Sequence, residues 1–177
     1  MSNIEHLVSN ARSYAAGFRA THGALPKRPA AGVAVVACMD SRIDLFGLLG
    51  LPIGDAHVIR NAGGIVTDDV IRSLLISQRL LATTEVMLIH HTDCGLLTFH
   101  DDELAARIEA DTGVRPPFAL GAFADVDDSI RESITRVRTS LFLPARDTVR
   151  GFVYEVESGR LREVVLLRVS YWIQFDM

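Results

Sequence analysis

Two cysteines and a single tryptophan in 177 residues leave no basis for a disulfide-braced scaffold. No apolar stretch approaches the ~20 residues that a membrane-spanning helix needs. No block of like charge stands out, and a net charge of −4 supplies no basic surface for nucleic acid. The start, MSNIEHLVSNARSYAAGF, has no basic stretch followed by an apolar one. No secretion signal is therefore expected, and the cytoplasm is the expected compartment. Internal repeats, low-complexity tracts and linkers are also missing. What remains is 49% apolar and 23% charged, the balance of a globular chain. One domain over residues 1–177, with a substantial core, is the expectation.

The pattern of elements points to an α/β fold. Ile4, Leu7, Val8, Ala11, Ala15 and Phe18 recur at helical spacing, which predicts a helix over 3–20 opened by a Ser2–Glu5 capping box. Residues 22–32 carry Gly and Pro and read as a loop. VAVVA (33–37) is a short β-branched run, the mark of a buried strand, with Cys38 just past its end. DLFGLLG reads as a short helix, AHVIR (56–60) as a second strand and NAGG as a turn. Thr67 caps a helix that runs to about Ala82, with Asp68 and Asp69 favouring its N-terminal dipole. EVMLIH (85–90) is a third strand. Strand–helix–strand order predicts a mostly parallel central sheet with right-handed crossovers, flanked by helices. Two further helices are expected, over about 101–111 and from Val126 past Asp127 and Asp128. VRGFVYEV and LREVVLLRV, separated by ESG, predict a C-terminal strand pair.

Three polar clusters fall at the carboxyl ends of the predicted strands, where open parallel sheets bind ligands. They are CMDSR (38–42), RNAGG (60–64) and HHTDCG (90–95). A histidine and a cysteine three residues apart on one loop can reach the same ion, and Cys38 from a neighbouring strand end would be a third ligand. Two thiolates and an imidazole with the fourth position open make a catalytic zinc pattern. In a reducing compartment, metal binding is a better use of two sparse cysteines than a disulfide between them. Strand alternation lets one of His90 and His91 face the site. Spacing favours His91; the other would be a hydrogen-bonded core or supporting histidine.

Asp40 and Arg42 lie two residues apart, so an extended segment would put them on one side. The bland reading is an exposed ion pair of little worth. The sharper reading is an acid beside the metal, kept ionised by the arginine. Such a carboxylate could orient a water or swing onto the metal itself, and the sequence does not choose. Simple turn geometry accounts for Gly63 and Gly64; the functional alternative is close approach of backbone to the site. Asp93 would brace or cap the His–Cys loop. His57 reads as a structural strand residue, and it and His90 are candidate proton relays.

CMDSR, HVIRNAGG and HHTDCG, in that order, resemble the β-class carbonic anhydrases, closest to their short bacterial and archaeal branch. The resemblance runs from the N-terminal helix to VRGFVYEVESGRLREV. It implies Cys38, His91 and Cys94 as ligands of one zinc ion per subunit, and Asp40 and Arg42 as the catalytic pair. The implied activity is reversible hydration of carbon dioxide to bicarbonate and a proton. Relatives that hydrolyse carbonyl sulfide make that gas the alternative substrate. Gly63, Gly64, Val66, Leu96 and Leu97 are the candidate pocket residues. The family also implies a homodimer or homotetramer, with the N-terminal helix packing on a partner subunit, and no nucleic-acid or membrane partner. A regulatory zinc- or bicarbonate-binding module without turnover would be expected to have lost part of this residue set. Leu96 stands where many members carry Gly or Met, and residues 165–177, VLLRVSYWIQFDM, extend past the usual end.

Overall fold

The computed structural model of the protein describes residues 2–18 and 23–166. Helix α1 spans Asn3–Ala16, strand β1 Val33–Cys38, helix α2 Leu45–Leu49 and strand β2 Ala56–Asn61. A 3-10 turn over Ala62–Gly64 leads to helix α3, Asp68–Leu81, and strand β3, Glu85–His91. A second 3-10 turn, Gly95–Leu97, precedes α4 (Asp101–Thr112) and α5 (Val126–Thr139), and β4 (Val149–Tyr154) and β5 (Leu161–Val164) close the order.

The strands form one sheet in the order β2-β1-β3-β4-β5. β1 pairs parallel with β2 and β3, β3 pairs parallel with β4, and β5 returns antiparallel to β4. The α/β class, the mostly parallel sheet and the C-terminal strand pair are as the sequence predicts; the pair is antiparallel. Strand order reverses between β1 and β3, and a crevice opens at such a switch point beyond the strand carboxyl ends. The first three strands each run one residue past the sequence reading. Cys38 pairs with Asn61 and His91 with Tyr154, so both residues lie inside their strands. Continued pairing with a neighbour, which local composition does not encode, carries each strand further.

The caps explain where the helices begin and end. Ser2 and Glu5 form the capping box of α1. Helix α1 stops at Ala16 with Gly17 as its cap, short of the expected boundary at 20; residues 19–20 lie outside the described residues. The Thr67 side chain accepts from the Val70 amide at the start of α3, and Asp125 accepts from Asp128 at the start of α5. In the C-terminal segment, Val165 is exposed, and 167–177 also lie outside the described residues.

Alternating strand residues feed two apolar clusters. Ala34, Val36 and Leu88 pack with Val70 and Leu74 of α3 and Ile130, Ile134 and Val137 of α5. Val35, Ala37 and Ile89 pack on the other face with Ile43, Leu45, Leu96 and the two cysteines. Helix α1 joins neither: it has no buried residue, and Ile4, Leu7 and Tyr14 are 72%, 63% and 60% exposed. No described helix is long and apolar enough to cross a membrane.

Candidate metal centre

The end of β1 delivers Cys38, and the end of β3 with the loop after it delivers His91 and Cys94. One ligand atom from each lies within 4.8 Å of the others, and all three residues are buried. Both cysteines are free thiols. The two adjacent histidines part company here, as alternation requires. His91 Nδ1 lies 2.8 Å from the Thr92 carbonyl, which can only accept, so Nδ1 carries the proton. Its Nε2 is buried with no protein partner and stands 3.8 Å from Asp40 Oδ2. An imidazole fixed through one nitrogen, with the other aimed at two sulfurs, is the arrangement of a metal-ligating histidine. This donor set suits zinc.

His90 turns the other way. Its Nε2 donates to the Gly64 carbonyl at 3.2 Å, and its ring stacks on Phe123 with centroids 5.8 Å apart. Burial lowers it to about 4, so it stays neutral near physiological pH. His57 hydrogen-bonds Ser77 Oγ at 2.7 Å, and Ser77 in turn bonds Thr83.

A hydrogen bond from Cys94 lowers Cys38 to about 4, and the same contact pushes Cys94 up. Burial pulls His91 down, yet the neighbouring Cys38 sulfur and its charge outweigh burial, and the net shift is upward. The cluster thus gathers protons that a bound cation would displace.

Asp40 and Arg42 form a close pair. Arg42 Nε reaches Asp40 Oδ1 at 3.0 Å and NH2 reaches Oδ2 at 2.8 Å; the Arg42 amide adds a third bond to Oδ1 at 2.9 Å. These bonds hold the Asp40 carboxyl far below its ordinary range. Sequence reasoning did not single out Arg60. From β2 its Nε donates to the Cys38 carbonyl at 2.9 Å and its NH2 to the Asp40 carbonyl at 2.7 Å. It thereby clamps the backbone on which ligand and acid sit.

Of the five expected pocket residues, four come near the cluster. Gly63 and Gly64 adopt φ of +76° and +72°. A Cβ on Gly63 would stand 2.5 Å from Leu96 Cδ2, and one on Gly64 would stand 2.7 Å from the Cys38 nitrogen. Leu96 is buried with Cys38 and Cys94, and Leu97 packs against the same group. Val66 is not brought there. It is buried among Val70, Leu74 and Ile130, in the cluster on the opposite face of the sheet. The reason is local: the chain turns extended at Ile65, and the Val66 amide is tied to Ser133 of α5.

Phe123 supplies wall that the sequence did not reveal. It packs on the cysteine-bearing cluster, and its amide donates to the Leu96 carbonyl at 3.2 Å. Asp101 anchors this segment by accepting from the amides of Leu120, Gly121 and Ala122 at 2.9, 3.0 and 2.7 Å. Those bonds, that to Gly121 foremost, lower the Asp101 carboxyl. A group depressed on folding contributes stability above its unfolded pKa and loses it as pH falls through the folded value. Asp101→Asn is therefore expected to lower Tm near neutral pH. The gap from the wild type should close as pH drops below about 4. A gap that does not change with pH would contradict this role.

A family model described as carbonic anhydrase matches residues 33–114. Beta-carbonic anhydrase 1 of Mycobacterium tuberculosis is 47% identical over 164 residues, 93% of this chain and 99% of that protein. The crystal structure of carbonic anhydrase from Streptococcus mutans has a TM-score of 0.84 and 41% identity, covering 93% of this chain and 99% of that one. A carbon disulfide hydrolase of Acidithiobacillus thiooxidans is 35% identical over 156 residues, 75% of this chain and 72% of its own length.

Proposed function

The chain belongs to the β-carbonic anhydrase family, and from that premise we propose that it hydrates carbon dioxide reversibly to bicarbonate and a proton. The observation that carries the reading is the buried Cys38–His91–Cys94 cluster, with an unpartnered imidazole nitrogen facing the sulfurs and the Asp40–Arg42 pair beside it. Those three residues would hold one zinc ion per chain. When bound, zinc supplies the Lewis acidity that makes water nucleophilic near neutral pH. Two thiolates offset the charge of the ion, so the surrounding residues matter more. Asp40 accepts a hydrogen bond from the reacting water and orients it. Arg42 keeps that carboxylate ionised and aimed. Gly63, Gly64, Leu96 and Leu97 form the close, apolar surroundings suited to a small linear substrate.

Asp40→Asn keeps the size of the side chain and removes its charge. Metal content is expected to hold while kcat falls about 10- to 100-fold, the usual cost of losing a group that orients a metal site. An unchanged rate would take Asp40 out of the mechanism.

Hydrolysis of carbonyl sulfide to hydrogen sulfide and carbon dioxide at the same cluster is the second reading. Its support is the similarity to a carbon disulfide hydrolase. Purified zinc-loaded protein offered each gas, with proton release and hydrogen sulfide followed separately, tests the choice. Rapid release of sulfide with negligible hydration of carbon dioxide would overturn the first reading.

The exposed apolar side chains of α1 fit a homodimer or homotetramer in which this helix covers a neighbouring copy. We assign the protein to the cytoplasm on its reducing-compatible pair of free cysteines.

A further inference from the structure

Arg42 does more than face Asp40. Its NH1 donates to Asp93 Oδ2 at 2.7 Å, and its NH2 also reaches the Asp93 carbonyl at 3.0 Å. One guanidinium thus spans two loops, that after Cys38 at the end of β1, which carries Asp40, and that after His91 at the end of β3, which leads to Cys94. Asp93 is one of only two non-glycine residues with positive φ among those described, at +53°. Aspartate tolerates this conformation better than most residues, yet it costs energy, and such positions cluster where geometry serves a site. Here the conformation lets both the side chain and the carbonyl of one residue meet the same arginine. The Asp93 side chain is 68% exposed, so its ion pair contributes little to stability. Its effect is on direction. A planar guanidinium held on one edge by Asp93 has a fixed plane in which to present its other edge to a carboxylate.

We propose that Asp93 is a positioning residue. It holds Arg42 across the gap between the two loops, so that the Asp40 carboxylate stays turned toward the arginine and away from the fourth corner of the Cys38–His91–Cys94 cluster. Without the Asp93 carboxylate the guanidinium pivots, Asp40 is released, and the carboxylate competes for that corner. This rests on the proposed use of the cluster as a metal site, and it adds a third residue to the Asp40–Arg42 pair.

Two variants separate the carboxylate from the backbone geometry. Asp93→Asn keeps the size and the tolerance of positive φ; Asp93→Gly removes the side chain and all strain. Cobalt(II)-substituted wild type and both variants would be titrated with azide and followed by visible absorption, alongside Tm and the kcat and KM for carbon dioxide hydration. Tm is expected to stay close to wild type. Azide should bind about tenfold more weakly to both variants, and kcat should fall about tenfold with KM little changed. Azide affinity equal to wild type in both variants overturns the proposal, whatever the rates do. A wild type that takes up cobalt without hydrating carbon dioxide refutes the activity alone, and the azide comparison still decides the role of Asp93.

Discussion

Cys38→Ser is expected to empty the site and abolish turnover. The serine hydroxyl is nearly isosteric with the thiol, but it does not ionise near neutral pH, so it offers a neutral oxygen where zinc prefers a thiolate. The contact with Cys94 lowers the Cys38 thiol, which favours the thiolate a metal needs. Cys38 is also the one ligand from β1, so its loss leaves only His91 and Cys94, from the end of β3 and the loop after it. Metal per chain, measured by mass spectrometry after dialysis, should drop to near zero. Hydration should fall below about 1% of wild type, at or beyond the loss seen for supporting residues. The fold should survive, because Cys38 is a small residue at a strand end. Metal content and hydration that both persist would remove Cys38 from the site.

Gly64→Ala is expected to produce the largest loss of stability. Its φ of +72° alone costs an alanine about 1–2 kcal/mol. The new Cβ would also lie 2.7 Å from the Cys38 nitrogen, 2.8 Å from the Ile89 carbonyl oxygen and 2.9 Å from the Ala37 carbonyl carbon. All three are backbone atoms of the two central strands, so no rotamer change relieves the contact. Overpacking of this kind adds about 1–3 kcal/mol. The sum is a large part of the roughly 5–15 kcal/mol that holds a domain folded. It would also push apart β1 and β3 where they present the cluster. Urea denaturation should show a midpoint far below wild type, or no folded protein; a midpoint near wild type would mean that the turn is not packed against the strands.

That glycine shows what the sequence could and could not convey. Residue type at 63 and 64 predicts a turn, which is present, but the approach to two strand backbones depends on how distant segments meet. Strand patterning placed Cys38 and the His–Cys pair at neighbouring carboxyl ends; alternation admitted only one of His90 and His91, spacing favoured His91, and the family resemblance made the choice. Asp40 and Arg42 were legible from their spacing. Arg60, Asp101 and Phe123 were not, since each acts on a segment about 20 or more residues away through backbone carbonyls, amides or a ring face. No side-chain pattern marks a backbone acceptor. Val66 follows the glycines directly, yet a single extended residue and the tie to Ser133 turn it into the opposite core. The arginine residues invite a general rule. Arg42 and Arg60 each join two strand-end segments through their guanidinium groups.

The most direct measurement is X-ray absorption at the zinc edge of the purified, zinc-supplied protein. Two sulfur and one imidazole nitrogen scatterers, with a single light atom completing the shell, are expected at one zinc per chain. A protein that holds no zinc, or zinc without sulfur neighbours, would contradict a site built from Cys38, His91 and Cys94.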